Sequence, residues 1–254
     1  MFFTPLLLLG FSLLFNLLVF KAIGDKYALD IPNQRKIHNK AKPQIGGLIL
    51  GILFLPLCWI FNLAPDWYIV SALCSIVVGG IDDMKPISWK VKIIFQLLIA
   101  IYISIIFWNT FDFINFFQIQ FSFSQIELFL IFLVWFVGIY NSVNLLDGLD
   151  GLVAGFFLII CLSFSLIGSY PIINLNIILS LLIISFLVFN QRPSKIFMGD
   201  AGSYFLGFHI AVLPLLMIKD NAPINELDID YIKLQKMAFL YNALENGWTI
   251  KKYK

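Results

Sequence analysis

Five aspartates stand where apolar segments give way to polar loops: Asp82 and Asp83 in GGIDDMKP, Asp147 and Asp150 in NSVNLLDGLDG, and Asp200 in FMGDAGS. A carboxylate at a helix end near lipid is costly unless paired, hydrated or bound to a cation, so such a set reads as a site. Hard carboxylate oxygens gathered on one face suit Mg²⁺ carrying a phosphorylated substrate. Polar helix caps are the alternative for individual members. In the second motif Asn141, Asn144, Asp147 and Asp150 recur every three residues, which makes successive members neighbours at a helix end, with two amides and two acids on one wall. Gly148 and Gly151 between them let the backbone turn or approach a ligand closely. The adjacent acids Asp82 and Asp83 repel one another unless they share a cation, so the pair suits either a base or a metal anchor.

The elements that must position these groups are membrane helices. With 60% hydrophobic residues, 27 Phe and only 13% charged residues, the chain is far from the roughly 25% charge of soluble domains, and it reads as an all-α, polytopic transmembrane bundle. Eight apolar segments have spanning or near-spanning length, at about 2–23, 46–63, 67–81, 91–110, 126–143, 152–169, 173–189 and 203–218. The third, at fifteen residues, is short for a bilayer. The first lacks a basic flank before it and a small-residue cleavage site after it, and is expected to be a retained helix.

Charge position sets the orientation. Lys21, Lys26, Arg35, Lys36, Lys40 and Lys42 follow the first segment, Lys85, Lys90 and Lys92 the third, and Arg192 and Lys195 the seventh, whereas the loops near 62–66, 111–125 and 169–173 carry no Lys or Arg. By the positive-inside rule the N-terminus lies outside, and the aspartate motifs share the cytoplasmic face of the plasma (inner) membrane. A net charge of +2, dispersed along the chain, gives no reason to expect nucleic acid. Cys58, Cys74 and Cys161 stand singly in apolar runs, without the spacing of a zinc site or a disulfide framework. His209, inside the eighth segment, reads as a hydrogen-bonded core residue.

Four stretches, DIPNQRKIHNKAKPQIGG from Asp30, GGIDDMKPISWKVKIIFQ, NSVNLLDGLDGLVAG and FNQRPSKIFMGDAGSYFLG, occur in the order found in the polyprenyl-phosphate N-acetylhexosamine-1-phosphate transferases. The chain over about 1–218 resembles this branch of glycosyltransferase family 4, the superfamily that also contains the phospho-N-acetylmuramoyl-pentapeptide transferase. The resemblance implies transfer of a sugar 1-phosphate from a UDP-sugar to polyprenyl phosphate with release of UMP, starting a lipid-linked envelope glycan. It also implies Mg²⁺, with Mn²⁺ as a substitute, and makes Asp200 a metal ligand, with Asp147 beside it. Asn144, Asp147 and Asp150 fall in the nucleotide- and metal-binding region, and Phe197 at a position that stacks on uracil. Asp82, Asp83, Asp147 and Asp150 are the catalytic candidates; one member of the Asp82–Asp83 pair acts as base or nucleophile, and the residues leave both roles open.

Arg35, Lys36 and His38, with Lys90 and Lys92, are candidate phosphate donors, and positive-inside anchoring explains the lysines and arginine equally well. The expected partners are therefore a UDP-sugar, a polyprenyl phosphate lipid and the bilayer, with a second copy of the chain as an open alternative. After Ile218 the residues depart from the family pattern: the expected further helices and histidine-rich loop are not recognisable, and 219–254 reads as a polar tail with an amphipathic helix over 228–247. Two rival readings follow, a catalytically impaired homologue that keeps lipid or nucleotide binding, and a transporter. The transporter fits less well, because transporter charges sit near the midplane of broken helices and these gather at one surface.

Overall fold

The computed structural model describes residues 3–23, 28–31, 41–108, 110, 113–116 and 119–221. Within them the chain is helical, in the order α1 (Phe3–Ile23), α2 (Gly46–Ile60), α3 (Asp66–Met84), α4 (Trp89–Ile106), α5 (Gln125–Leu146), α6 (Leu152–Ile167), α7 (Tyr170–Asn190) and α8 (Gly199–Asn221). Two short antiparallel ladders interrupt the series: β1 (Leu29–Asp30) with β2 (Lys42–Pro43), and β3 (Phe113–Phe116) with β4 (Ile119–Ser122). The chain divides into the units Met1–Met217 and Ile218–Lys254. Of the second, only the end of α8 is described, and the amphipathic helix expected over 228–247 lies outside the described residues.

Among the described residues six helices, rather than the expected eight, are long and apolar enough to cross a bilayer: α1, α3, α4, α5, α7 and α8. The chain is a multi-pass membrane protein. The two remaining helices, α2 and α6, have 15 and 16 residues. At about 1.5 Å of rise per residue each falls short of a hydrocarbon core of about 30 Å. The third segment is the opposite case. Instead of ending near residue 81, α3 runs on through Asp82 and Asp83 to Met84, because both carboxylates find partners that let the last turn stay wound. The 111–125 segment was expected to be a loop, but the polar and aromatic residues there pair as β3 and β4.

Helix α8 is the axis of the bundle. Ala201, Tyr204, Phe205, Leu206, Phe208, His209, Ala211 and Val212 are all buried along it, whereas α1 is mostly exposed, with Leu6 at 69%. Lipid is as apolar as leucine, so close backbone approach and polar contacts must hold such helices together. Two glycine contacts supply the approach. A Cβ on Gly47 would lie 1.9 Å from the Gly202 nitrogen, and one on Gly79 would lie 2.3 Å from the Asp200 carbonyl oxygen, so α2 and α3 both meet the start of α8 backbone to backbone. The Gly46 and Gly47 amides donate to the carbonyls of Phe197 and Met198 at 3.0 and 2.8 Å, and Phe197 N–H donates to Pro43 O at 2.9 Å. The segment before α8 is thereby tied to the segment before α2.

Deeper in the bundle, polar side chains pair across helices, as an apolar surround favours. The Tyr68 hydroxyl meets His209 Nδ1 at 2.5 Å, while His209 Nε2 meets Asn176 Oδ1 at 3.1 Å. Those partners suit a neutral imidazole protonated on Nε2, accepting from the tyrosine and donating to the amide. His209 is fully buried, as expected of a core histidine. Ser75 and Tyr140 join α3 to α5 through a 2.7 Å hydroxyl contact. The Trp135 indole donates to the Ala211 carbonyl at 3.0 Å, tying α5 to α8.

Candidate active site

Because the chain alternates direction, the end of α3, the start of α4, the end of α5 and the start of α8 come together at one end of the bundle. Their side chains interlock there. Asp83, in the last turn of α3, accepts the Asp200 amide on Oδ1 at 2.7 Å and the Ala201 amide on Oδ2 at 3.0 Å. It thus caps the N-terminus of α8 from another helix. Free amides and the positive end of the helix dipole both favour a carboxylate in that position. Gly199 makes the approach feasible: its φ is +76°, in the left-handed region, and a Cβ there would lie 2.7 Å from Asp83 Oδ2. Asp200 is not itself the cap: with α8 starting at Gly199 it sits inside the first turn, and Asp83 does the capping.

Asp200 Oδ1 accepts from Asn144 Nδ2, whose amide also donates to Ser203 Oγ at 3.0 Å. Asp200 Oδ2 lies 3.5 Å from the Lys92 ammonium. Asp82, 4% exposed, accepts the Ile87 amide at 2.9 Å and forms an ion pair with Lys92, and its carboxyl also meets that of Asp200. Asp147 is the C-cap residue of α5, half-buried, with its carboxylate accepting from the Gly199 amide. Burial, with the charges of Asp200 and Asp83 added, pushes that carboxyl well above the usual carboxylate range. Asp82, Asp83, Asp147, Asp200, Asn144 and Lys92 therefore form one electrostatically coupled set.

The three-residue repeat does not stay on one wall. Asn141 turns to α4, donating to Gln96 Oε1 at 2.8 Å and to its own helix at Val137 O. Asp150, in the loop between α5 and α6, accepts the Ser194 hydroxyl at 2.7 Å and the Ser194 amide at 3.1 Å, with the Lys42 ammonium 3.9 Å away. Lys42 donates to Ser194 Oγ at 2.8 Å and lies 4.8 Å over the Phe197 ring. Neighbouring Asn190 accepts the Gly151 amide at 3.0 Å and donates to the Ile196 carbonyl at 2.9 Å. A second polar group thus joins the β2, α5–α6 and α7–α8 connections beside the first. Lys90, by contrast, is exposed, its ammonium 5.7 Å from the neighbouring Trp89 ring. Arg35, Lys36 and His38 lie outside the described residues.

Lys42, Ser194, Gln96 and Ser203 were not singled out by sequence reasoning. Lys42 was one of six basic residues in its loop, and a serine or a glutamine near a span has no distinctive spacing; only the pairing across elements marks them.

Asp150 yields a prediction. Burial opposes its charge, but the two Ser194 donors and the cations Lys42 and Arg192 outweigh it and hold its carboxyl below the usual range. A depressed folded-state value stabilises the fold above the unfolded value of about 3.9 and loses that contribution as pH falls through the folded one. Asp150→Asn is therefore expected to melt below the wild type at neutral pH, and the gap is expected to close in melts run below about pH 4. A gap independent of pH would remove the charge from the explanation.

The residues from 67 to 218 match the family described as Glycosyl transferase family 4. The chain belongs to glycosyl transferase family 4. This matched segment runs from the second residue of α3 to within the last turn of α8 and holds every acid of the set. The chain is 34% identical over 219 residues to a probable undecaprenyl-phosphate N-acetylglucosaminyl 1-phosphate transferase of Bacillus subtilis, covering 82% of this chain and 60% of the relative. It is 29% identical to an undecaprenyl-phosphate alpha-N-acetylglucosaminyl 1-phosphate transferase of Thermotoga maritima, covering 76% and 58%. A phospho-N-acetylmuramoyl-pentapeptide-transferase of Listeria innocua is 34% identical, with 72% and 64% covered. The chain spans about three fifths of the length of these family members.

Proposed function

We propose that this membrane protein transfers a sugar 1-phosphate, N-acetylhexosamine 1-phosphate, from a UDP-sugar to polyprenyl phosphate, releasing UMP. The observation that carries the reading is the convergence of Asp82, Asp83, Asp147, Asp200 and Lys92 at one end of the apolar helices. A site in that place serves a lipid phosphate at headgroup depth and a nucleotide arriving from water. The relatives' names supply the substrate class, and the basic loops support a cytoplasmic site in the plasma membrane with the N-terminus outside.

In the reaction an oxygen of polyprenyl phosphate bonds to the sugar-linked phosphorus, the bond from that phosphorus to the bridging oxygen breaks, and UMP departs with that oxygen. The attacking monoester has a second pKa of about 6 and is largely ionised near neutrality, so no strong base is required. Catalysis is then mostly positioning and charge neutralisation. Asp83, with both oxygens on α8 amides, holds Asp200 in place. Among the described residues Lys92 is the ammonium nearest these acids, and it donates to phosphate, with Asn144 orienting Asp200. Phe197 presents a half-buried ring for uracil beside Lys42.

Mg²⁺ belongs to this reading. Among the described residues no three acids, histidines or cysteines close a protein cage for a metal. Mg²⁺ ordinarily takes one or two carboxylates and completes its shell with substrate phosphates and water. The donor set fits that pattern, since hard oxygens of Asp200 and Asp147 lie on this face and a cation, the Lys92 ammonium, already reaches Asp200. Asp200 and Asp147 would hold the ion, which when bound neutralises the diphosphate and the departing UMP.

The test is direct transfer: purified protein in detergent with UDP-N-acetylglucosamine and polyprenyl phosphate, following lipid-linked sugar phosphate and UMP, with and without EDTA. Stoichiometric formation of both products, lost in EDTA and restored by Mg²⁺, is the expected result. Hydrolysis to free sugar phosphate, or transfer undiminished by EDTA, would overturn it.

A further inference from the structure

We propose that Lys92 is a built-in counter-cation that holds the carboxylates of the site while no divalent ion is bound and gives them up when one binds. The inference rests on the transferase reading and its metal. Lys92 lies in the first turn of α4, its side chain 26% exposed, and its ammonium joins acids from two other helices: Asp82 at the end of α3, whose side chain is 2% exposed, and Asp200 at the start of α8. Two of the neighbouring acid groups are held by other partners. Asp83 is held by the α8 amides, and Asp200 Oδ1 by Asn144, which leaves Asp200 Oδ2 turned toward the lysine.

The electrostatics make this arrangement purposeful. Asp82, Asp83, Asp147 and Asp200 interact as like charges, and Lys92 is the cation that reaches two of them. Without a cation among them such like charges repel one another. A lysine suits a temporary place better than an arginine would. It is a compact, well-hydrated point charge on a four-carbon stem, able to leave by side-chain rotation alone, whereas a guanidinium fork holds carboxylates bidentately. Lys90, two residues away and so on nearly the opposite side of the helix, cannot substitute. Lys92 would be repelled by a dication held at Asp200 and would then stand beside the incoming phosphates. One side chain thereby guards the empty site and serves the loaded one.

Manganese binding without substrate reads this competition apart from turnover. Purified wild type, Lys92→Gln and Lys92→Arg are titrated with Mn²⁺, and the free ion is followed by its paramagnetic resonance signal. Removing a positive charge next to a dication is expected to tighten Mn²⁺ binding by about tenfold or more in Lys92→Gln, with Lys92→Arg within about threefold of wild type. A second measurement needs no variant: acylation of Lys92 in the wild type, read by mass spectrometry against Lys90, is expected to rise when Mn²⁺ is added. Equal Mn²⁺ affinity in wild type and Lys92→Gln, or Lys92 acylation unchanged by Mn²⁺ that does bind, overturns the counter-cation role and leaves the transferase reading intact. Absence of Mn²⁺ binding in all three proteins also overturns the counter-cation role, and the transfer assay decides the transferase reading separately.

Discussion

Asp200→Asn is expected to lower kcat/KM for sugar-phosphate transfer by at least about a thousandfold while leaving the melting transition in detergent nearly in place. The amide has the shape of the carboxylate, so the tight contacts between α2, α3 and α8 are undisturbed. Asp83 still caps the helix, because it binds the backbone amide of residue 200 and not its side chain. What disappears is the negative charge that faces Lys92 and that, on the proposed function, would anchor Mg²⁺. The effect should appear in kcat as well as KM, since a metal contributes most where charge develops on the leaving phosphate. Transfer within about tenfold of wild type would remove Asp200 from the metal site.

Gly47→Ala is expected to be severely destabilising, although it adds a single methyl. Its new carbon would lie 1.9 Å from the Gly202 nitrogen and 2.2 Å from the Gly202 Cα, with no side chain able to move aside. Helices α2 and α8 must separate, which strains the Gly47 amide bond to Met198 O and shifts the start of α8 on which Asp200 stands. The cost belongs at or above the upper end of the roughly 1–3 kcal/mol typical of overpacking. Transfer activity should fall with it. Gly138→Ala, in the middle of α5, is the control: nothing lies within 4 Å of the new carbon, and helix propensity favours alanine by about 0.5–1 kcal/mol. Thermal melts and transfer rates of the two variants check the prediction, and similar melting of both would contradict the close α2–α8 contact.

The contrast between these positions shows what could be read in advance. Gly47 and Gly138 look alike in sequence, each a glycine in an apolar run; only the partner helix separates a backbone contact from open space. Asp82 and Asp83 are another such case. Adjacent in sequence and inseparable by motif, they point to different partners, one to Lys92 and the Ile87 amide, the other to the amides that open α8. The three-residue repeat from Asn141 to Asp150 suggested a single wall, a correct inference for a continuous helix. Helix α5 ends at Leu146, however, and beyond it the geometry belongs to the loop, which delivers Asp150 to Ser194.

The sequence by itself determined the membrane setting, the positions of nearly all the helices and membership of the family, because hydropathy, charge placement and motif order are properties of contiguous residues. Helix ends next to acids were less legible, since a helix continues through carboxylates such as those of Asp82 and Asp83 only if distant groups satisfy them. Tertiary structure alone decided which acid caps α8, which pairs with Lys92 and which turns to Ser194. Those roles depend on amides and ammonium groups brought in from helices up to 118 residues away along the chain, and on glycines that let backbones touch. No local pattern encodes a contact between the end of α3 and the start of α8; packing around the buried α8 creates it.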